Sequence, residues 1–140
     1  MGVLTLMDAY FKVGDTLTIT GVPKPNAAHF NVNICLSEKD IALHVDARFN
    51  QLNDIRKVFF TSRQGGTLGK SNYGQSFPFE EGKEFEISIE FKSAEFLVIF
   101  PDDSVFHFPN LLGAELYPVI IVDGHVRITS FKISKPPRNQ

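Results

Sequence analysis

The sequence contains no tryptophan and only one cysteine, Cys35. A single cysteine cannot close an intramolecular disulfide or supply several thiolates to a zinc ion, so neither kind of cross-link is available to this fold. Cys35 lies in the strand-like run 30–36, where a small buried residue is a commoner role than a reactive thiol. We therefore predict that its side chain is buried.

An excess of charge of either sign is also missing, because 14 Lys and Arg face 16 Asp and Glu for a net charge of −2. Nothing in this balance favours binding to nucleic acid or to an anionic membrane surface. No apolar run approaches the ~20 residues that a membrane-spanning helix needs, so we expect no membrane insertion. Residues 1–10 lack the basic start, long apolar core and cleavage site of a secretory signal, and cytoplasmic synthesis is the simplest expectation.

Helical periodicity is absent as well, and residues 111–116 offer at most one helical turn. Apolar and polar residues instead alternate in short runs, separated by turn residues such as Gly65-Gly66 and Asp123-Gly124. Many short strands at this spacing predict an antiparallel all-β sandwich. The predicted strands cover residues 16–20, 29–36, 41–49, 58–62, 84–91, 96–100, 105–108, 119–122 and 126–133.

Phenylalanine is abundant, with 14 residues, and can fill much of the core of such a sandwich. The length of 140 residues predicts one domain, which we place over residues 1–135. The chain from Ser134 onward contains two adjacent prolines and cannot easily pair with another strand. We expect residues 136–140 to form a frayed tail.

The segment His44-Val45-Asp46-Ala47-Arg48-Phe49 carries the densest chemistry in the chain. In a strand, His44, Asp46 and Arg48 share one face, while the apolar residues between them point to the other. Imidazole can donate or accept a hydrogen bond, carboxylate only accepts and guanidinium only donates. We expect the three side chains to protrude together into solvent, and such a row suits a neutral polyhydroxylated ligand. A surface ion pair with an incidental histidine would show the same pattern.

Other candidate sites are weaker. His29, His107 and His125 are scattered and lack metal-ligand spacing, so surface or strand-edge roles are expected for them. The acidic pairs 80–81 and 102–103 sit beside turns, where adjacent carboxylates are poorly placed to flank one glycosidic bond. No nucleophile–base pair, metal set or cofactor motif can be assembled, and we expect no enzymatic activity and no cofactor.

Four segments resemble motifs of the galectins, the cytosolically made β-galactoside-binding lectins. Residues 44–50 are similar to the H-F-N-P-R-F-N strand of that family and residues 65–69 to its G-G-x-W-G loop. Residues 77–86 resemble the F-P-F-x-x-G-x-x-F-E hairpin, and residues 101–110 resemble the P-D-G-x-x-F-x-F-P-N-R stretch. The resemblance covers nearly the whole chain. It implies a concanavalin-like jelly roll of two antiparallel sheets, with five and six strands.

The resemblance also implies site roles. His44 and Arg48 match positions that hydrogen-bond the axial galactose hydroxyl. Asp46 stands where asparagine is usual, so it lacks the amide donor, and we expect it to pair with Arg48. Further family positions also carry other residues here: an asparagine that reaches the galactose hydroxymethyl, the tryptophan on which the sugar stacks, and a glutamate and an arginine after that loop. The carbohydrate-binding set implied in this way is His44, Asp46, Arg48, Thr61 in place of that asparagine, Arg63, Leu68 in place of that tryptophan, and Ser71 and Tyr73 in place of a glutamate and an arginine.

These replacements predict altered recognition. Loss of an aromatic platform forfeits about 0.5–1.5 kcal/mol, and loss of a charged hydrogen-bonding partner forfeits about 1.5–3 kcal/mol. Together they amount to about 2–4 kcal/mol, or about 30- to 1000-fold in dissociation constant. Leu68 still offers apolar contact and Tyr73 is a candidate substitute platform. We expect a glycan-binding lectin with weak or absent lactose binding; the rival is a galectin-fold structural or protein-interaction module that has lost sugar binding.

The resemblance implies assembly and location too. Galectins commonly form symmetric homodimers through terminal strands, and residues 4–6 and 131–133 are the candidate edges here. Pairing would turn weak sites into avid cross-linkers of glycoconjugates. Members of the family can leave the cell without a signal peptide, so export is compatible with cytoplasmic synthesis.

Overall fold

The computed structural model describes residues 2–136, which form fourteen strands. All strand pairings are antiparallel. The strands are β1 (Gly2–Leu6), β2 (Phe11–Lys12), β3 (Thr16–Pro23), β4 (His29–Cys35), β5 (Ile41–Gln51), β6 (Asp54–Gln64), β7 (Thr67–Leu68), β8 (Asn72–Tyr73), β9 (Phe85–Phe91), β10 (Glu95–Ile99), β11 (Val105–Pro109), β12 (Leu116–Tyr117), β13 (Val119–Gly124) and β14 (Val126–Ser134).

Two large sheets form the sandwich. The larger sheet has the order β1-β13-β4-β5-β6-β7, with β8 also paired to β6, and the smaller has the order β11-β10-β9-β3-β14. A two-stranded ribbon joins β12 to β2. The predicted sandwich of six and five strands is therefore confirmed, and β8 and the ribbon are additions to it. Residues 111–116 make a hydrogen-bonded turn and the start of β12, so the helical turn considered for them is wrong.

Phenylalanine fills the space between the sheets, as predicted. Phe60 stacks on Phe106 with ring centroids 3.9 Å apart, and Phe30 stacks on Phe85 at 4.8 Å. Alternation is regular in β9, where every second residue is buried. The central strands β4 and β5 are different, because most of their residues are buried on both faces. On one face they meet the core, and on the other polar side chains cover one another.

Cys35 is buried in the larger sheet, as predicted. Its main chain pairs with Val119 of β13. Burial raises the pKa of this thiol to about 11. The side chain therefore behaves as a small apolar residue of the core.

Residues 134 and 135 make contacts that the sequence did not predict. Ser134 pairs with Thr16, and the Lys135 ammonium lies 2.9 Å from Oδ2 of the fully buried Asp15. The prediction that pairing fails from Ser134 onward is therefore wrong, because β14 continues to that residue and a buried carboxylate holds the next one. Of the predicted tail 136–140, residues 137–140 lie outside the described part of the chain.

Candidate functional site

Strand register assembles polar side chains on the face of the larger sheet that points away from the core. Asn31 on β4 lies opposite Asp46 on β5, which lies opposite Phe59 on β6. A neighbouring row contains Asn33, His44 and Thr61, and a third contains His29, Arg48 and Lys57. The predicted triplet on β5 is thus flanked on both sides by residues far away in sequence.

Hydrogen bonds to two carboxylates join three of these side chains, His29, Asp46 and Arg48, to Asp54 and Tyr73 in one ionic network. Arg48 Nε donates to Asp46 Oδ2 at 2.8 Å, and Arg48 Nη1 donates to Asp54 Oδ2 at 2.7 Å. The other oxygen of Asp46, Oδ1, lies 2.7 Å from His29 Nδ1. The Tyr73 hydroxyl donates to Asp54 Oδ2 at 3.1 Å. Asp46 therefore binds Arg48 and His29 through different oxygens, whereas Oδ2 of Asp54 accepts from both Arg48 and Tyr73.

This ionic network corrects one expectation from the sequence. The alternation of β5 predicted that His44, Asp46 and Arg48 would protrude together, but Asp46 is 3% exposed and Arg48 is 8% exposed. Only His44 is partly exposed. Alternation assigned the correct face, and the predicted pairing of Asp46 with Arg48 is confirmed. Neighbouring strands supply His29, which contacts Asp46, and Asp54, which contacts Arg48, so both members of the pair are held close to the sheet.

Besides its hydrogen bonds to Asp46 and Asp54, the Arg48 guanidinium packs on an aromatic ring. Its central carbon lies 4.0 Å from the centroid of the Phe59 ring, within cation–π range. Tyr73 packs on the same ring at 5.7 Å. Desolvation opposes the charged form, but the hydrogen bonds to Asp46 and Asp54 raise the pKa of Arg48 above its ordinary value. The result is a preorganised cation with further N–H donors beyond the two already used.

His44 complements this donor with an acceptor. Its Nδ1 lies 2.6 Å from Asn33 Oδ1, an oxygen that can only accept, so Nδ1 carries the proton and Nε2 of the neutral ring is left as an acceptor. Burial has the largest effect and lowers the pKa of His44; the Asp46 carboxylate raises it by less, and the nearby Arg48 and Arg63 guanidinium groups lower it further. The imidazole is therefore neutral at neutral pH.

An open hollow of about 590 Å³ lies over these groups. It brings together five of the eight predicted site residues, namely His44, Arg48, Thr61, Arg63 and Leu68. The remaining three do not line it: Asp46 lies beneath, Ser71 is exposed elsewhere on the adjoining loop, and Tyr73 reaches Asp54 instead. Residues that the sequence did not single out complete the lining, and they are Asn31, Asn33, Glu38, Ile41, Leu52, Phe59, Ser62 and Asp123.

The replaced positions have distinct environments. Thr61 is buried, and its hydroxyl lies 3.3 Å from the carbonyl oxygens of Gly69 and Lys70, so it holds the following loop. Leu68, on β7, pairs with Arg63 and is 57% exposed at the margin of the hollow. Tyr73 does not face the hollow and so does not replace the missing aromatic platform.

Some of the missed residues left a signal in the sequence. In β4, Asn31 and Asn33 alternate with the buried Phe30 and Val32, which is the pattern of a polar face. Asp54 and Phe59 gave no such signal, because their place beside Arg48 depends on the register of β5 against β6. Within residues 2–136 no group of three or more metal-ligating side chains is found. No helix in this range is long and apolar enough to cross a membrane.

A jelly-roll sandwich with a clamped arginine and a neutral histidine in an open hollow has the construction of a carbohydrate-binding lectin. Comparison with known proteins agrees. The family description "Galactoside-binding lectin" matches residues 3–133. A β-galactoside-binding lectin of Electrophorus electricus is 43% identical over 100 residues, covering 71% of this chain and 78% of that protein. A 16 kDa β-galactoside-binding lectin of Gallus gallus is 32% identical over 132 residues, covering 94% and 96%.

Solved structures lead to the same conclusion. Galectin-1-L2 of Dario rerio superposes with a TM-score of 0.91 at 43% identity, covering 94% of this chain and 99% of that one. CG-16, a homodimeric agglutinin from chicken liver, gives 0.89 at 30% identity, covering 94% and 98%. The chain belongs to the galectin family of galactoside-binding lectins. Members of this family are carbohydrate-binding proteins and not enzymes, as the sequence predicted.

Proposed function

We propose that this protein is a lectin that binds galactoside-type glycans, with altered specificity, in the hollow over His44 and Arg48. The observation that carries the proposal is the immobilised Arg48, held by Asp46, Asp54 and the Phe59 ring beside a neutral His44. Relatives named as β-galactoside-binding lectins support the sugar class. A preorganised site suits a weakly binding ligand, because little side-chain entropy is lost on binding.

The two side chains fit one sugar hydroxyl. Nε2 of His44 accepts a hydrogen bond and the free N–H groups of Arg48 donate, so a hydroxyl between them can satisfy both its donor and its acceptor capacity. Hydrogen bonds to a charged group contribute about 1.5–3 kcal/mol each. Arg48 is therefore the residue whose loss should weaken binding most.

The apolar side of the site is weaker than its polar side. Leu68 is exposed where an aromatic ring would stack on the sugar, and Tyr73 is turned towards Asp54. Asp46 lies beneath the hollow and has no donor to offer. These features support a lactose affinity about 30- to 1000-fold below that of a site with both elements intact.

The first prediction concerns Arg48→Ala. A glycan array should give specific hits for the wild-type protein, and this variant should lose them, since one charged donor set is worth at least tenfold in affinity. Isothermal titration with lactose should show weak or undetectable binding for the wild type. Arg56→Ala is the matched control, because Arg56 lies on the opposite face of β6 and its Nη2 contacts the Phe79 carbonyl oxygen.

The array also distinguishes the proposed function from its rival. A folded protein without hits at high concentration would favour a galectin-fold protein-interaction module. The observation in favour of that module is a set of exposed apolar side chains on β6, β7, β8 and the β5–β6 turn, of which Leu52 and Leu68 line the hollow while Ile55 and Tyr73 lie outside it. Tight lactose binding would contradict the proposed change in specificity instead.

We further propose that the protein forms a homodimer through the edge strands β1 and β14. These strands end the two sheets on the same side of the sandwich and lie close together. Val3 on β1 is exposed, and Leu4 and Phe131 are partly buried there. CG-16, which is described as homodimeric, has the same fold, and this likeness supports the proposal.

Cytoplasmic synthesis, with export that needs no signal peptide, completes the proposal. The free thiol of Cys35 is compatible with a reducing compartment. Fractionation of expressing cells, with secretion followed while the classical pathway is blocked, tests it. Loss of the protein from the medium under that block would contradict export by another route.

A further inference from the structure

The turn between β2 and β3 contains a fully buried carboxylate. The main-chain N–H of Asp15 donates to the Lys12 carbonyl oxygen, and its own carbonyl oxygen accepts from the N–H of Phe91 in β9. The Phe91 ring is buried too, with the Phe96 ring stacked on it at 4.8 Å. The carboxylate of Asp15 therefore lies where this turn joins the aromatic core, and its charge is removed from water.

This carboxylate has few partners. Its Oδ2 accepts from the Lys12 amide at 3.1 Å and from the Lys135 ammonium at 2.9 Å. Its Oδ1 has no hydrogen-bonding partner within residues 2–136. In the same part of the chain, Lys135 supplies the one ion pair that Asp15 makes. Because an uncompensated buried charge strongly destabilises a fold, the stability of this turn depends on the charge of Lys135.

A C-terminal strap, residues 134–136, covers the turn. The main chain of Ser134 pairs with Thr16, the first residue of β3. Pro136 lies beside Gly14 of the turn, where an added Cβ would be 3.4 Å from the proline Cγ. The ion pair thus fastens the middle of the strap to the buried carboxylate, between these two contacts.

The two members of this ion pair differ in accessibility. The Lys135 side chain is 57% exposed, whereas that of Asp15 is 0% exposed. Lys92 and Glu90 form an ordinary surface pair at 3.5 Å, with side chains that are 56% and 36% exposed. The two lysines are thus equally open to a modifying enzyme. A loss of charge is transmitted to the core only from Lys135, because only its partner is buried.

We propose that Lys135 is a modification site, and that acylation of its ε-amine by an acyl thioester releases the C-terminal strap. The neutral amine attacks the acyl carbon, a C–N bond forms as the C–S bond breaks, and the amine proton passes to the departing thiolate. The amide product carries no charge and cannot neutralise Asp15. Since the ion pair holds the lysine as an ammonium, acylation takes place on the open strap and then prevents it from closing. This inference does not depend on the proposed lectin function.

The first arm of the test measures the effect of acylation. Nε-acetyl-lysine replaces Lys135 in the full chain by stop-codon suppression, and the same replacement of Lys92 is the matched control. Acetylation of Lys135 should lower the midpoint of denaturant unfolding and accelerate amide hydrogen exchange over residues 131–134 by about tenfold or more. Acetylation of Lys92 should change neither quantity, because an exposed ion pair contributes little. Equal behaviour of the two proteins would overturn the proposal.

The second arm asks whether Asp15 carries the effect. In an Asp15→Asn background the buried charge is absent, so acetylation of Lys135 should no longer lower the midpoint. In the wild-type background, Lys135→Arg keeps a cation and should keep the strap closed, whereas Lys135→Gln should behave like the acetylated protein. The arginine and glutamine variants alone decide the matter if Asp15→Asn does not fold. An equal loss of stability in both of these variants would contradict a role for the charge.

The third arm measures reactivity in the native protein. The intact chain is treated with a limiting amount of an acetyl thioester, and mass spectrometry of its peptides follows each lysine. Despite equal exposure, Lys135 should react at least about threefold more slowly than Lys92, because its buried partner favours the ammonium form. The difference should disappear in Asp15→Asn or in denaturant. Equal rates in the native wild type would overturn the claim that acylation requires the open strap.

Discussion

Asp46 illustrates how a single replaced side chain alters a binding site. An asparagine at this position would offer a donor and an acceptor, whereas the carboxylate accepts on both oxygens, from His29 on one side and from Arg48 on the other. Its buried charge is satisfied, and this removes Asp46 from the lining of the hollow. We therefore expect recognition to depend on His44, Arg48 and the exposed Leu68, and this expectation is the residue-level argument for the altered specificity that we propose.

A second residue-scale prediction concerns Cys35. With a thiol pKa of about 11, the fraction of thiolate at pH 8 is on the order of one in a thousand, and the side chain is inaccessible as well. The native protein should therefore react with an aromatic disulfide reagent far more slowly than the same protein in denaturant. The absorbance of the released thiolate measures both rates, and similar rates in the two states would contradict burial of the thiol.

At the scale of elements, alternation and turn residues were sufficient for the long strands. All nine predicted runs are strands, with ends that differ by a few residues. Five strands are not among these runs. β2, β7, β8 and β12 span two residues each, too few for a period to be visible, and β1 was anticipated only at residues 4–6, as a candidate dimer edge. The binding face was predicted only in part, because Phe59 and Asp54 reach Arg48 through pairing across β5 and β6, which composition does not reveal.

Gly124, at the end of β13, provides a prediction at this scale. Its φ is +102°, and a Cβ there would lie 2.6 Å from the His29 carbonyl oxygen and 2.7 Å from the Phe30 Cα. Both obstacles are backbone atoms, so Gly124→Ala should destabilise the protein by about 2 kcal/mol or more. Denaturant unfolding followed by far-ultraviolet circular dichroism measures this loss.

Gly65→Ala is the control for that experiment. Gly65 has a φ of +59°, but a Cβ there would meet no atom within 4 Å, so only backbone strain is added. Its cost should be about 1 kcal/mol. Equal losses in the two variants would show that the close approach of β13 to β4 contributes nothing. A larger loss of stability for Gly124→Ala would show that the constraint lies beside His29, which takes part in the ionic network.

At the scale of the whole molecule, a dimer would determine how weak sites act together. Two hollows on one particle bind a surface that presents many glycans more tightly than either does alone, without any new contact. Light scattering after size exclusion should show twice the mass of the 15.7 kDa chain at micromolar concentration. Val3→Asp should shift that mass to the monomer, because β1 ends the larger sheet and Val3 is exposed there.

Leu116→Asp is the comparison for the dimer experiment. Leu116 is an exposed apolar residue of β12 in the separate two-stranded ribbon. This variant should remain dimeric. A monomeric wild type at every concentration would contradict the proposed assembly, and loss of the dimer in both variants would show that the effect is not specific to the β1 edge.

Asp15 is a buried carboxylate that is bound by Lys135, a residue distant from it in sequence. One oxygen of this sequestered carboxylate accepts from the Lys12 amide and from the Lys135 ammonium, while the other has no hydrogen-bonding partner within residues 2–136. The side-chain cation that neutralises an interior anion near the start of the chain thus arrives 120 positions later. Shortening the protein before that lysine would leave a buried carboxylate without its cation, so we expect truncation after β14 to destabilise the sandwich through the loss of Lys135.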